Sequence, residues 1–212
     1  MTLPPTELVT CPVRLHFPSL FTMRRVPGAQ KDSYQAVALI PPDADLTPFK
    51  TAIKAALADK FGANFKLPAS KNPIHDASEK DYDGFEEGWH FINLNANFPP
   101  MVVDQKKQEI LDSRKLIGKT ADQQAAAVAE AESRIFAGCW VRFHLNVYAW
   151  DHPTGGKGVS FGMKAVKLLR TDEAFSSGAS NNAAAFDAFD DIDDSDDDFD
   201  GAAGGGDEDW LN

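Results

Sequence analysis

Residues 139–150 read CWVRFHLNVYAW, and a β-strand is the regular structure that sorts them, because successive side chains of a strand point to opposite faces. One face carries Val141, Phe143, Leu145, Val147 and Ala149 and is pure core. The other carries Trp140, Arg142, His144, Asn146, Tyr148 and Trp150 and is no ordinary solvent face. Large aromatics interleaved with a cation and hydrogen-bonding groups suit a single-stranded nucleic acid. Bases stack on such rings for roughly 1–3 kcal/mol each while cations hold the phosphates. Trp89, Phe91, Asn93 and Asn95 make a comparable face on residues 89–96 (WHFINLNA), and Tyr34, heading YQAVALI (34–40), joins the stacking candidates. The competing assignment is that such rings are covered by another element, for which the polar, alanine-rich residues 104–134 are available.

The rest of the chain reads as short strands with one strong helix. VRLHF (13–17) alternates as a strand closed by Pro18, and residues 19–33 are loop-like. Thr47 as a cap, with Pro48 at the first helical position, leads into Phe49, Ile53, Leu57 and Phe61 at i+4 spacing, a helix stopped by Gly62. Residues 63–88 read as an extended loop, and 104–134 as one or two exposed helices divided near Gly118. After residues 139–150, HPTGGKG turns the chain into VSFGMKAVKLLR (159–170), a hairpin. Strands punctuated by Gly and Pro, without a βαβ rhythm, indicate a small β-barrel with helical and loop insertions.

Arg14, Arg24, Arg25, Lys31, Lys157, Lys164 and Lys167 flank these strands, where phosphate contacts are expected. Singly each reads as a solubilising charge; together they outline a basic groove. The net charge of -11 opposes this only until it is located. Residues 183–212 hold eleven Asp, one Glu and no Lys or Arg, which leaves 20 acids against 21 basic residues in the body. The acidity belongs to a tail whose composition predicts disorder. That tail ends on Asp207, Glu208, Asp209, Trp210 and Leu211 behind three glycines, and reads as a detachable protein-binding tip that also competes for the basic groove when DNA is absent.

Enzymatic readings lack their residues. The five histidines form no HExxH or HxH, TGGKG lacks the frame of a phosphate loop, and the Asp run lacks the Gly and Glu of a calcium loop. Asp81, Asp83, Glu86 and Glu87 are the carboxylates a magnesium-dependent nuclease would use, the weakest alternative. Cys11 and Cys139 sit in no ligand spacing and read as free thiols of a reducing cytosol; no cofactor and no metal is expected. No segment approaches a membrane span and no signal peptide opens the chain, so a cytoplasmic protein is expected, without a membrane partner.

RLHFPSLF (14–21), YQAVALIP (34–41), YDGFEEGWHFINLNA (82–96), PPMVVD (99–104) and residues 135–170, with GCWV, YAWD and KGVSFG in succession, resemble a family of tailed-phage single-stranded DNA-binding proteins. The resemblance implies an OB-fold, a Greek-key β-barrel that binds single strands across its open sheet face. It covers most of residues 13–170, and residues 105–134 are longer than the family's pattern, which leaves open whether they cover the face, dimerise or decorate the barrel. The tail is similar to the acidic C-termini of replication single-strand binding proteins, whose tips dock on DNA polymerase, helicase-primase and recombination factors. The expected organisation is a flexible N-terminus (1–12), an OB-fold domain (13–172) with a helical insertion (105–134), and a disordered acidic tail (173–212). The expected function is to coat and protect single-stranded DNA in phage replication or recombination, in the host cytoplasm, with a homodimer left open. The rival from a different class is an acidic DNA mimic acting on a host enzyme.

Overall fold

The structure, a computed structural model, describes residues 2–25, 31–153 and 155–175. Its elements in chain order are β1 (Glu7–Val9), β2 (Val13–Arg24), β3 (Ser33–Ile40), α1 (Thr47–Phe61), β4 (His75–Asp76), β5 (His90–Ala96), β6 (Met101–Val103), α2 (Ala121–Arg134), β7 (Trp140–His152) and β8 (Gly156–Arg170). Five strands close into a barrel in the cyclic order β2-β3-β5-β8-β7-β2. Every neighbouring pair is antiparallel except β5 with β8, which run parallel. Numbered among the five alone, the order is 1-2-3-5-4-1, that of an OB-fold barrel. The tail tip, residues 207–211, lies outside the described residues.

The parity of β7 sets the core. Val141, Phe143 and Leu145 are fully buried and meet Val13, Leu15, Ile92 and Phe161 from the other strands. α1 packs Phe49, Ala52, Ile53, Ala56 and Leu57 against the barrel, with the Phe49 ring edge-on to Phe161 at 6.2 Å. Its start differs from the sequence reading: Leu46 is the cap residue, Pro48 stands one position further in, and the Asp45 carboxylate accepts the Thr47 N–H at 2.8 Å. Asp45 thus supplies the anionic acceptor that the exposed first N–H groups of a helix need. Gly62, at φ 90°, stops the helix as expected.

Two strands carry irregularities that the alternation only half reveals. In β8, Val159, Phe161 and Met163 face inward, and then Val166 and Leu168 do, so the inward set changes parity. The extra residue is a bulge opposite His144 and Leu145, and it turns Lys164 outward. In β2 the register slips between His16 and Ser19, where Phe17 adopts φ 44°. The strand therefore runs past Pro18 to Arg24 instead of closing there. Between β6 and α2 the polar segment holds a 3-10 turn, Ser113–Leu116, and one α-helix begun by a Thr120/Gln123 capping box. α2 lies against β2 and buries only Ala131.

Candidate nucleic-acid interface

The outward side chains of the barrel divide into a covered end and an open end. At the covered end, Leu39 of β3 pairs with Phe91 of β5, and residues 77–89 close over them through Ala77, Phe85 and Trp89. The segment after β8 completes the cover. Arg14 donates to the Glu173 carbonyl at 2.9 Å, its guanidinium lies 4.1 Å from the centre of the Phe175 ring, and that ring stacks on His16 at 5.0 Å. Trp140 faces this end: its Nε1–H donates to Asp172 at 2.8 Å and the Arg170 guanidinium lies 4.9 Å from its ring centre.

His16, only 1% exposed, is locked as a neutral ring. Its Nδ1 accepts the Phe17 N–H at 2.9 Å, so the proton sits on Nε2, which donates to the Asp83 carbonyl at 2.9 Å. Burial pushes its pKa below the ordinary value of 6.5, with the Asp83 carbonyl and charge opposing. A base whose folded-state pKa is depressed stabilises the fold fully above its unfolded pKa, and that contribution is lost as pH falls from about 6.5 through the folded value. The melting temperature of the native chain is therefore expected to fall below about pH 6.5. It should fall less in His16→Gln, and parallel pH profiles for the two would reject this role.

The open end runs across β3, β5, β8 and β7 as two adjoining concavities of about 640 and 480 Å3 that share Asn95 and Asn97. The first is walled by Phe17, Lys31, Gln35 and Asn93, the second by Phe98, Asn146, Tyr148, Gly162 and Lys164. Glycines of β8 seat the rings of β7. A Cβ on Gly158 would stand 2.1 Å from the Trp150 indole, and one on Gly162 would stand 3.4 Å from the Tyr148 ring. Trp150 Nε1–H donates to Ser160 at 2.9 Å and the Tyr148 hydroxyl to Asn95 at 3.0 Å, so each ring is fixed before any ligand arrives. Tyr148 remains 38% exposed and Phe98, in the loop after β5, 81% exposed. A larger hollow of about 800 Å3 is lined by α1, residues 65–79 and His90, but its one phenyl ring, Phe65, leans on Phe61 at 4.7 Å.

The structure thus brings together Asn146, Tyr148 and Lys164 in one concavity and Lys31 in the adjoining one, leaves Trp150 half-buried on β7 and lining neither, and displaces other candidates. Tyr34 shares the inward parity of Ala36 and Ala38 and is half-buried against the core, and it lines neither concavity. Phe91 has the expected parity but is 4% exposed beneath Phe85 and His75, and Trp89 belongs to the same cover. Lys157 has the opposite parity and sits over Phe61 and Phe65, at 4.7 and 5.4 Å. Arg25 pairs with Asp32 at 2.8 Å, and Arg24 ends β2 exposed. Arg142 donates to the Thr10 carbonyl at 3.0 Å, Lys167 stands opposite it on β8, and His144 bonds Glu7. Three open-end residues carry no signal in periodicity: Phe98 lies between strands, Gln35 is an ordinary polar strand residue, and Phe17 is turned out by its bulge. A positive φ on a bulky residue is strained and tends to persist where function uses it.

Other groups are accounted for by structure. Asp83, Tyr82 and Phe85 of the acidic stretch serve the covered end: the Asp83 carbonyl holds His16, and Tyr82 and Phe85 make edge contacts to Phe17 and His16. Among the described residues, no three His, Cys, Asp or Glu side chains converge as a metal site requires. Cys11 and Cys139 are both free, and burial raises both thiol pKa values. No described helix is long and apolar enough to cross a membrane.

Residues 6–199 match the model of a family described as Enterobacter phage Enc34, ssDNA-binding protein. A curated relative, putative protein p50 of Acyrthosiphon pisum secondary endosymbiont phage 1, is 26% identical over 185 residues, covering 82% of this chain and 89% of its own length. Among solved structures, the single-stranded DNA-binding protein from bacteriophage Enc34 in complex with ssDNA superposes with a TM-score of 0.63 at 20% identity, over 81% of this chain and 90% of that one. The single-stranded DNA-binding protein gp2.5 of bacteriophage T7 gives a TM-score of 0.50 at 13% identity, over 94% of this chain and 98% of that one. At these identities the structures share the fold.

Proposed function

The chain belongs to the family of the Enterobacter phage Enc34 ssDNA-binding protein, and from that premise we propose that it binds single-stranded DNA along the open end of its barrel. The observation that carries this is the pre-fixed Tyr148 ring on Gly162, flanked by exposed Phe98, by Asn95 and Asn146, and by Lys164 and Lys31 at the two ends of the band. Strands 2 and 3 of an OB-fold barrel, here β3 and β5, form the face that takes oligonucleotides in this architecture. Stacking is indifferent to base identity, because every base has a π-face, so sequence preference is weak. Holding only the unpaired strand shifts the duplex equilibrium by mass action, and neither fuel nor a catalytic group is needed. The protein coats and protects DNA exposed in phage replication or recombination. The acidic tail, with Trp210 and Leu211 as apolar anchors, recruits replication proteins such as a polymerase or helicase-primase.

The test is a titration of oligo(dT) and of duplex DNA followed by tryptophan fluorescence over a salt series. The expected result is a strong preference for oligo(dT), with log affinity falling by about 0.7 per phosphate contact for each decade of salt. Equal affinity for single strand and duplex would falsify the reading.

A further inference from the structure

In the band, the lysine that lines the same concavity as Tyr148, Lys164, is already paired. β1 lies antiparallel on β7, Glu7 opposite Asn146, and one Glu7 carboxylate oxygen accepts from Lys164 Nζ at 2.8 Å. The other lies 2.7 Å from His144 Nε2. The Glu7 side chain is 14% exposed, while Lys164 is 48% exposed. Lys164 hydrogen bonding is the main cause that lowers the Glu7 pKa; burial opposes it and His144 adds to it. The arrangement is built rather than incidental. The β8 bulge that costs a regular ladder position is what aims Lys164 at Glu7, and the carboxylate stands beside Asn146 and Tyr148.

A carboxylate that accepts from a lysine in a DNA-binding band occupies the place of a phosphate oxygen. We infer that Glu7 is an internal phosphate surrogate, which keeps Lys164 aligned beside the Tyr148 ring and must be displaced by a DNA phosphate before that lysine holds DNA. The inference rests on the DNA-binding reading above and adds to it how tightly the site is set. Pairing Lys164 with a phosphate releases a counterion from DNA, but the freed Glu7 carboxylate takes one up. The net contribution of this lysine to the salt dependence is then near zero. Glu7 thus holds binding below what the same fold could reach, which suits a coat that must be removed from DNA.

The experiment measures oligo(dT) affinity between 0.05 and 0.5 M salt, ranges chosen around about one Debye length of 10 Å, for the native chain, Glu7→Gln, Lys164→Gln and the double variant, with melting curves for each. Glu7→Gln is expected to bind roughly five- to tenfold more tightly near 0.1 M salt, with the slope steeper by about 0.7. The double variant should lose that gain. Lys164→Gln alone should leave the slope unchanged, and it keeps the inference testable if Glu7→Gln loosens β1. An unchanged slope in a folded Glu7→Gln protein, a gain that survives in the double variant, or a loss of about 0.7 in Lys164→Gln would each overturn the surrogate. A native chain that fails to bind oligo(dT) at all rejects the DNA-binding reading instead.

Discussion

Replacing Tyr148 and Phe98 together by alanine is expected to weaken oligo(dT) binding by on the order of 10²–10⁴-fold, since two stacking platforms at roughly 1–3 kcal/mol each are removed. Both rings are exposed, so little packing is lost: Phe98 is 81% exposed, and the Tyr148 ring touches the barrel over glycine. The melting temperature should therefore stay near that of the native chain. Tyr148→Phe separates stacking from orientation, because it removes only the hydroxyl that donates to Asn95. A loss of about two- to fivefold is expected for it, consistent with one exposed neutral hydrogen bond of about 0.5–1 kcal/mol. Fluorescence anisotropy of a labelled oligonucleotide reads all three proteins. Native-like affinity in the folded double alanine variant would move the binding site off this band.

The features legible in the sequence were those governed by a period. The alternation of residues 139–150 assigns Phe143 and Leu145 to the core and Tyr148 to the exposed face, where Trp150, of the same parity, is half-buried, and Phe49, Ile53 and Leu57 mark α1. What escaped depends on distant parts of the chain. Phe91 has the right parity, but whether residue 91 meets solvent is decided by Phe85, sixth before it, and by His75, and no local pattern encodes that cover. Tyr34, at a strand's head, reads as a surface ring unless the parity of Ala36 and Ala38 is carried back to it; in the structure it is half-buried against the core. Alternation over an unbroken strand puts Phe17 on the face of Val13 and Leu15, whereas the bulge exchanges the roles of His16 and Phe17. Phe98 precedes a Pro-Pro pair between strands and had no periodic context. A signal was available in Gly158 and Gly162: glycine inside a strand often marks a close approach, here of the aromatic rings across the ladder.

The same strand allows stability and binding to be separated. Phe143 is fully buried at the centre of the barrel, and Phe143→Ala is expected to lower the unfolding free energy by about 3–5 kcal/mol. For a chain of this size that is a fall of about 6–20 °C in melting temperature. Its side chain points away from the band, so affinity measured well below the lowered transition should remain within a few-fold of native. The alanine variant of Tyr148 and Phe98 should show the reverse, a large loss of affinity at nearly native stability. Residues 143 and 148 belong to opposite parity sets of one strand, and this crossed pair of outcomes follows from that geometry. If Phe143→Ala abolishes binding while still folded, the band depends on core packing more than on its own hydrogen bonds, and the pre-fixing of Tyr148 by Asn95 and Gly162 is not sufficient to hold the site.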